Sequence, residues 1–151
     1  MNKYFSDQRL KNAFGWSWKA WSTAFIGLDE HLLNDLYLNS GDILEVGAGK
    51  LSQIALIFDN AKKIDLGIYP DHNQKLILES MLLKKFSNDK RIKVIDCDFN
   101  NLKGKYNIII MKSILGGIFR ENSSDSKHIS EAIIKTIKNN LLDNGYLITL
   151  D

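Results

Sequence analysis

The sequence predicts an α/β fold, a doubly wound and mainly parallel sheet with helices on both faces, preceded by an N-terminal helical extension. Two observations carry this expectation. Short apolar runs alternate with stretches of helical period, the order of strands joined by crossover helices. The first of those runs passes directly into Gly47-Ala48-Gly49, a tight turn that leads from strand to helix. Crossovers between parallel strands are right-handed. A glycine loop after strand one places a ligand at the carboxyl ends of the strands, where the strand order reverses.

Each element follows from its own pattern. Residues 29–38 read as a helix with Leu32, Leu33 and Leu36 on one face. Before it, Phe14, Trp18, Trp21 and Phe25 recur at helical spacing and form one stripe, while Trp16 falls off it. Strand one is 43–46, and Ser52 offers a cap for a helix through Phe58. Strand two, 63–68, leads into Pro70, suited to the first position of a helix. That helix carries Leu76, Ile77, Met81 and Leu83 toward Phe86. Strand three is 92–95. Strand four, 106–111, reads YNIIIM, an apolar run expected of a strand buried on both faces. Ser123-Ser124-Asp125 offers caps for a helix carrying Ile129, Ile133, Ile137 and Leu141, which Asn144-Gly145 ends. Strand five is 146–150. The domain division is a helical extension over 1–40 and a nucleotide-binding core over 41–151.

The totals exclude several classes. With 151 residues, one core is expected. Twenty basic against 18 acidic residues, a net charge of +2, supply no concentrated basic face for nucleic acid. Cys97 is the single cysteine, so there is neither an internal disulfide nor a CxxC zinc pair, and a cytoplasmic setting fits. No secretory signal opens the chain, and no run approaches the roughly 18 apolar residues of a membrane span. His31, His72 and His128 do not cluster in sequence and read as surface or capping histidines, so no metal site is expected.

The chemistry centres on Ile43-Leu44-Glu45-Val46-Gly47-Ala48-Gly49. Glycines let the backbone turn tightly and bring its N–H groups close to a ligand. A carboxylate at the end of the strand can anchor the loop and offer a negative site to a cationic ligand. This stretch resembles the first motif of class I S-adenosylmethionine-dependent methyltransferases: an acid, any residue, then Gly-x-Gly. Asp98-Phe99 after strand three matches the family's adenine position. The stretch Asn140-Leu141-Leu142-Asp143-Asn144-Gly145-Tyr146-Leu147 matches its late motif. The resemblance covers about residues 43–151 and implies the Rossmann-like strand order 3-2-1-4-5, with S-adenosyl-L-methionine as cofactor. It implies a cofactor shell of Glu45, Val46, Gly47, Ala48, Gly49, Asp98, Phe99 and Met111.

Two departures stand out. Leu51 replaces the third glycine common in the family. Counting back from Pro70, the family's ribose-binding acid falls on Gly67. Asp65, two residues earlier on the same strand face, is its substitute in the cofactor shell, with Asp71 in reserve.

After strand four, Met111-Lys112-Ser113-Ile114-Leu115-Gly116-Gly117-Ile118 occupies the family's substrate side. Its wording is similar to methyltransferases of bacterial surface-polysaccharide gene clusters, which implies a small-molecule or sugar/glycolipid acceptor. Lys112 and Ser113 are the candidate catalytic residues. Lys112 can orient an anionic group or stabilise a developing oxyanion; the competing reading is a lysine reaching to the rim of a buried strand. Methyl transfer is an in-line displacement, so the protein mainly supplies orientation. No nucleic-acid partner is expected, since the Asn-Pro-Pro-aromatic motif of amino-methylating enzymes is absent.

Other readings remain open at this point. Gly47-x-Gly49-x-x-Ser52 lies one residue from a dinucleotide fingerprint, with Asp65 at about the right distance, which would make the chain an NAD-binding oxidoreductase domain. A non-catalytic methyltransferase-like module is the alternative from another class. The aromatic stripe reads as core, as a substrate lid, or as a membrane-surface contact favoured by the net positive charge of residues 1–28. Family members continue past strand five, so the expectation is a chain that stops before the fold is complete.

Overall fold

The computed structural model describes residues 7–15, 30–49, 53–69, 72–86, 89–98, 102–112 and 126–150. The described strands are β1 (Asp42–Val46), β2 (Lys63–Ile68), β3 (Ile92–Asp96), β4 (Tyr106–Lys112) and β5 (Leu141–Leu150). They form one sheet in the order β3-β2-β1-β4-β5, as the family resemblance implies. Its four ladders are all parallel. The described helices are α1 (Asp7–Phe14), α2 (Glu30–Leu38), α3 (His72–Phe86) and α4 (Ser126–Asn140), with a 3-10 turn at Ile54–Ile57. The chain enters the sheet at β1, moves outward to β3, and returns to the other flank of β1 as β4. That reversal opens a crevice at the carboxyl ends of β1 and β4.

Alternation along the strands divides the side chains between two faces. Ile43, Ile64, Leu66, Val94, Ile108 and Ile110 point to one face, where Leu10 and Ala13 of α1, Leu33 and Leu36 of α2, and Leu78 and Leu82 of α3 complete a single cluster. The N-terminal helices therefore share the core of the sheet. Leu44, Val46, Ile109 and Met111 point to the other face, together with Cys97 and Tyr106. There, the Asn140 amide at the end of α4 donates to the carbonyls of Leu102 and Gly104 at 3.1 and 3.0 Å. It ties α4 to the connection between β3 and β4. None of the described helices is long and apolar enough to cross a membrane.

Four local expectations are corrected. The helix expected over 52–58 is, within the described residues, one 3-10 turn whose four residues are all buried. An all-apolar turn has no solvent face on which to extend, and its Ala55 N–H is taken by a carboxylate from β1. In α3 the buried residues are Leu78 and Leu82, while Leu76, Ile77 and Leu83 are exposed. In α4, Thr136 and Asn140 are buried and Ile137 is exposed, because the bonds of Asn140 turn that face inward. Finally, α4 ends at Asn140, and Leu141 already pairs with Tyr106. Asn144-Gly145 lies inside β5 as an irregularity, with Asn144 at φ 61°. Gly145 is required there: a Cβ would sit 2.8 Å from the Asn107 carbonyl oxygen and 2.9 Å from that of Leu142.

At the N-terminus, α1 closes at Phe14 because Gly15 adopts φ 57°, a left-handed conformation that ends a helix. Trp16, Trp18, Trp21 and Phe25 lie outside the described residues.

Candidate functional site

The glycine loop leaves β1 at the crevice. Gly47 has φ 75°, a conformation that disfavours any residue with a Cβ. Ala48 is fully buried, and its N–H donates to the Gly67 carbonyl at the end of β2, 2.9 Å away. Gly49 is exposed, and a Cβ added to it would meet nothing within 4 Å, so its backbone faces open space. Val46 is buried under the loop, in register with Gly67 of β2 and Met111 of β4.

Two buried polar side chains hold this loop from one side. Glu45 is fully buried, and its Oε2 accepts from the Ala55 N–H at 2.7 Å. A carboxylate there satisfies a donor of the 3-10 turn that no backbone carbonyl reaches. Gln53 donates from Nε2 to the Gly49 carbonyl at 2.6 Å, and its own N–H donates to the Ala13 carbonyl in α1 at 2.6 Å. The 3-10 turn thus braces both the end of β1 and the far end of the loop.

The structure seats Asp65 elsewhere. It lies mid-strand, in register with Leu44 and Lys93, two positions before Gly67. Its carboxylate is buried, accepts from the Tyr106 hydroxyl at 2.9 Å, and forms an ion pair with Lys63. Lys63 also stands over the Tyr106 ring, 5.4 Å from its centroid. Tyr106 and Lys63 open their strands, so this network sits toward the amino ends of the strands. Gly67, the position that the family comparison assigns to the ribose acid, is closed. A Cβ there would lie 2.7 Å from Cys97 Cβ and 2.8 Å from its Sγ. Burial, with the nearby carboxylates of Asp98 and Asp65, pushes the Cys97 thiol up to about 11, which makes it an inert packing group. Burial and the bond to Asp65 raise Tyr106 as well.

Two cavities open at the carboxyl end, on opposite faces of the sheet. One, of about 250 Å³, is lined by Gly47, Ala48, Gly49, Tyr69, Gln74 and Leu78. The other, of about 220 Å³, is lined by Leu44, Cys97, Asp98, Leu102 and Lys103 among others. The glycine loop and Asp98 thus border different hollows among the described residues. Lys112 ends β4 in register with Leu150. Phe99 and Ser113 lie outside the described residues, as do Asp71 and Leu51. A further cavity, about 400 Å³, lies under α3 at the β3 edge and contains no residue of the loop. The described residues hold no cluster of three metal-ligating side chains.

No protein-family model matches the sequence, and no curated protein matches it. Solved structures do match. An S-adenosylmethionine-dependent methyltransferase from Clostridium acetobutylicum aligns over 87% of this chain and 56% of its own, at TM-score 0.58 and 14% identity. The glycopeptide N-methyltransferase MtfA, solved with S-adenosyl-L-homocysteine, aligns over 97% of this chain and 53% of its own, at TM-score 0.58 and 11% identity. PKMT2 from Rickettsia typhi, in complex with AdoHcy, aligns over 73% and 20%, at TM-score 0.54 and 14% identity. The fold is that of S-adenosylmethionine-dependent methyltransferases. At these identities the likeness is one of fold, and the chain spans less than two thirds of the length of each of these structures.

Within this methyltransferase fold, sequence reasoning missed Gln53 and Gln74 as neighbours of the loop, and Cys97 as the side chain that closes Gly67. Gln53 carries a signal in retrospect, as a polar residue directly before the apolar run Ile54 to Phe58. Gln74 carries none, since it lies in the first, polar turn of α3.

Proposed function

We propose that this chain is the cofactor-binding core of an S-adenosylmethionine-dependent methyltransferase. In this reading it acts in the cytoplasm on a small-molecule acceptor, a sugar or glycolipid precursor of a bacterial surface polysaccharide. One observation carries the proposal: the Glu45–Gly49 loop stands at the switch point of the sheet, with Gly49 open to the crevice and Glu45 buried behind it.

The cofactor supplies a methyl carbon activated by an adjacent sulfonium. The chain's residues supply binding and orientation. The backbone of Gly47, Ala48 and Gly49 lets the ligand approach closely, and the buried Glu45 carboxyl group anchors the 3-10 turn behind the loop. Asp98 accepts from the adenine amino group, with Phe99 against the ring, and Val46 and Met111 form the floor. Gln74, which lines the cavity beside the loop, offers an amide to the ribose hydroxyls. Asp65 then serves the sheet, since Tyr106 and Lys63 already engage its carboxylate. Lys112 and Ser113, following Met111, stand on the acceptor side, where Lys112 orients an anionic group.

Thermal unfolding with S-adenosylhomocysteine, S-adenosylmethionine and NAD in parallel tests this. An adenosyl-sulfur ligand at a hundred times its dissociation constant is expected to add about 2.7 kcal/mol of stability, a rise of several degrees. A shift with NAD alone would replace the proposal with a dehydrogenase-type domain. No shift with any of the three would overturn it.

A further inference from the structure

We propose that Gln53 is a positioning residue that couples helix α1 to the glycine loop, so that docking of α1 and binding of an adenosyl-sulfur ligand strengthen each other. This rests on the cofactor reading above.

The argument begins with burial. Gln53 is 1% exposed and is followed by five apolar residues that are themselves buried. Burying a side-chain amide is unfavourable unless its hydrogen bonds are made. Here Nε2 donates to the Gly49 carbonyl at 2.6 Å. Gly49 has no side chain, and a Cβ there would meet nothing within 4 Å, so side-chain packing does not restrain it. The Gln53 amide is therefore what fixes the direction of the Gly49 carbonyl, and with it the far end of the loop.

The second half of the coupling runs through the backbone of the same residue. Its N–H donates to the carbonyl of Ala13, 2.6 Å away. Ala13 lies in the last turn of α1, where carbonyls have no partner within the helix. Leu10 and Ala13 hold α1 in the core, at 2% and 0% exposure. The other ties of the loop, Ala48 to Gly67 and Glu45 to Ala55, stay between the sheet and the 3-10 turn. Gln53 bonds the loop with one group and α1 with another. A ligand that needs the loop in one conformation is bound more tightly when that conformation is already ordered. Linkage then requires that the ligand stabilise α1 by the same factor.

Two measurements on the full chain test the coupling, with S-adenosylhomocysteine as the probe. In calorimetric titration, Gln53→Met keeps the side-chain length but removes the donor, and about five- to ten-fold weaker binding is expected. In amide exchange, the ligand is expected to slow residues 7–15 in the unsubstituted protein and to lose that effect in Gln53→Met. Titration reads affinity in the folded molecules, so a purely structural loss would leave it unchanged. Should Gln53→Met fail to fold, Leu10→Ala loosens α1 from its other side and is expected to weaken binding while the amide on Gly49 remains. Absence of binding by the unsubstituted protein would remove the cofactor reading and the coupling together. Binding that is equal in the variants, or an α1 that ignores the ligand, would overturn the coupling and leave the cofactor reading intact.

Discussion

On the face of the sheet toward α1, α2 and α3, the strands present Ile43, Ile64, Leu66, Val94, Ile108 and Ile110 to neighbours that are almost all aliphatic or aromatic. The polar groups there, Glu45 and Gln53, sit at the carboxyl end and are held by backbone partners. On the opposite face the same strands present Leu44, Val46, Ile109 and Met111, but also Asp65, Cys97 and Tyr106. One face is mostly hydrocarbon, and its buried acid, Glu45, is met by a backbone N–H. The other holds a buried acid that is met by side chains, a hydroxyl and an ammonium. Damage to the first should therefore scale with the volume removed, and damage to the second with the partner removed.

The largest effect is expected on the first face. Phe58 is fully buried against this cluster. Phe58→Ala should lower the stability of the ligand-free protein by about 3–5 kcal/mol, the usual result of leaving a large cavity. Urea unfolding would measure it. A loss under about 1 kcal/mol would mean that the first face is loosely packed, against the burial seen.

The contrast between the faces also explains what the sequence reveals. The strands are legible to within a residue, apart from the early start of β5, because runs such as Ile108-Ile109-Ile110-Met111 must be buried on both sides. The glycine loop is legible because only a turn that tolerates φ 75° needs Gly47. Helix faces are less so. In α3 apolar residues at 76, 77, 78, 81, 82 and 83 surround the helix, and periodicity cannot choose among them. The structure chooses Leu78 and Leu82, which are spaced at four. Asp65 shows the limit most clearly. Its place on strand two is readable, but its partner Tyr106 lies 41 residues further on, and only the fold brings them together. Gln53 is hidden for the same reason: its meaning depends on Ala13 and Gly49.

On the second face, Tyr106→Phe retains the ring and removes the hydroxyl. Asp65 then keeps Lys63 but loses its 2.9 Å bond while still buried. The expected cost is about 1–3 kcal/mol, that of a buried polar group left unsatisfied. This is less than for Phe58→Ala and does not depend on volume. If denaturant midpoints show Tyr106→Phe to be neutral, the network adds nothing that packing alone would not, and the two faces differ only in composition.

The smallest effect is on pH dependence, through two groups of the second face. Cys97 and Tyr106 are both acids whose neutral form the fold favours. Burial comes first for each, followed by nearby carboxylates for Cys97 and the bond to Asp65 for Tyr106. At neutral pH both groups are protonated in the folded and unfolded states, and their contribution is fully present. As pH rises past the ordinary thiol value of 9.0, the unfolded chain releases the Cys97 proton while the folded chain holds it to about 11. The folded state then binds more protons, and stability falls with rising pH. Tyr106 adds to that fall from its ordinary value of 10.0 upward. Unfolding midpoints measured on either side of that window should therefore drop in alkali. Cys97→Ala should flatten the earlier part of the slope and Tyr106→Phe the later part, relative to the unsubstituted protein. Phe58→Ala should lower the whole curve without changing its shape, since it removes buried hydrocarbon and no titrating group. Parallel curves for all four proteins would show that the alkaline slope arises from the surface and that the second face holds its acids without cost.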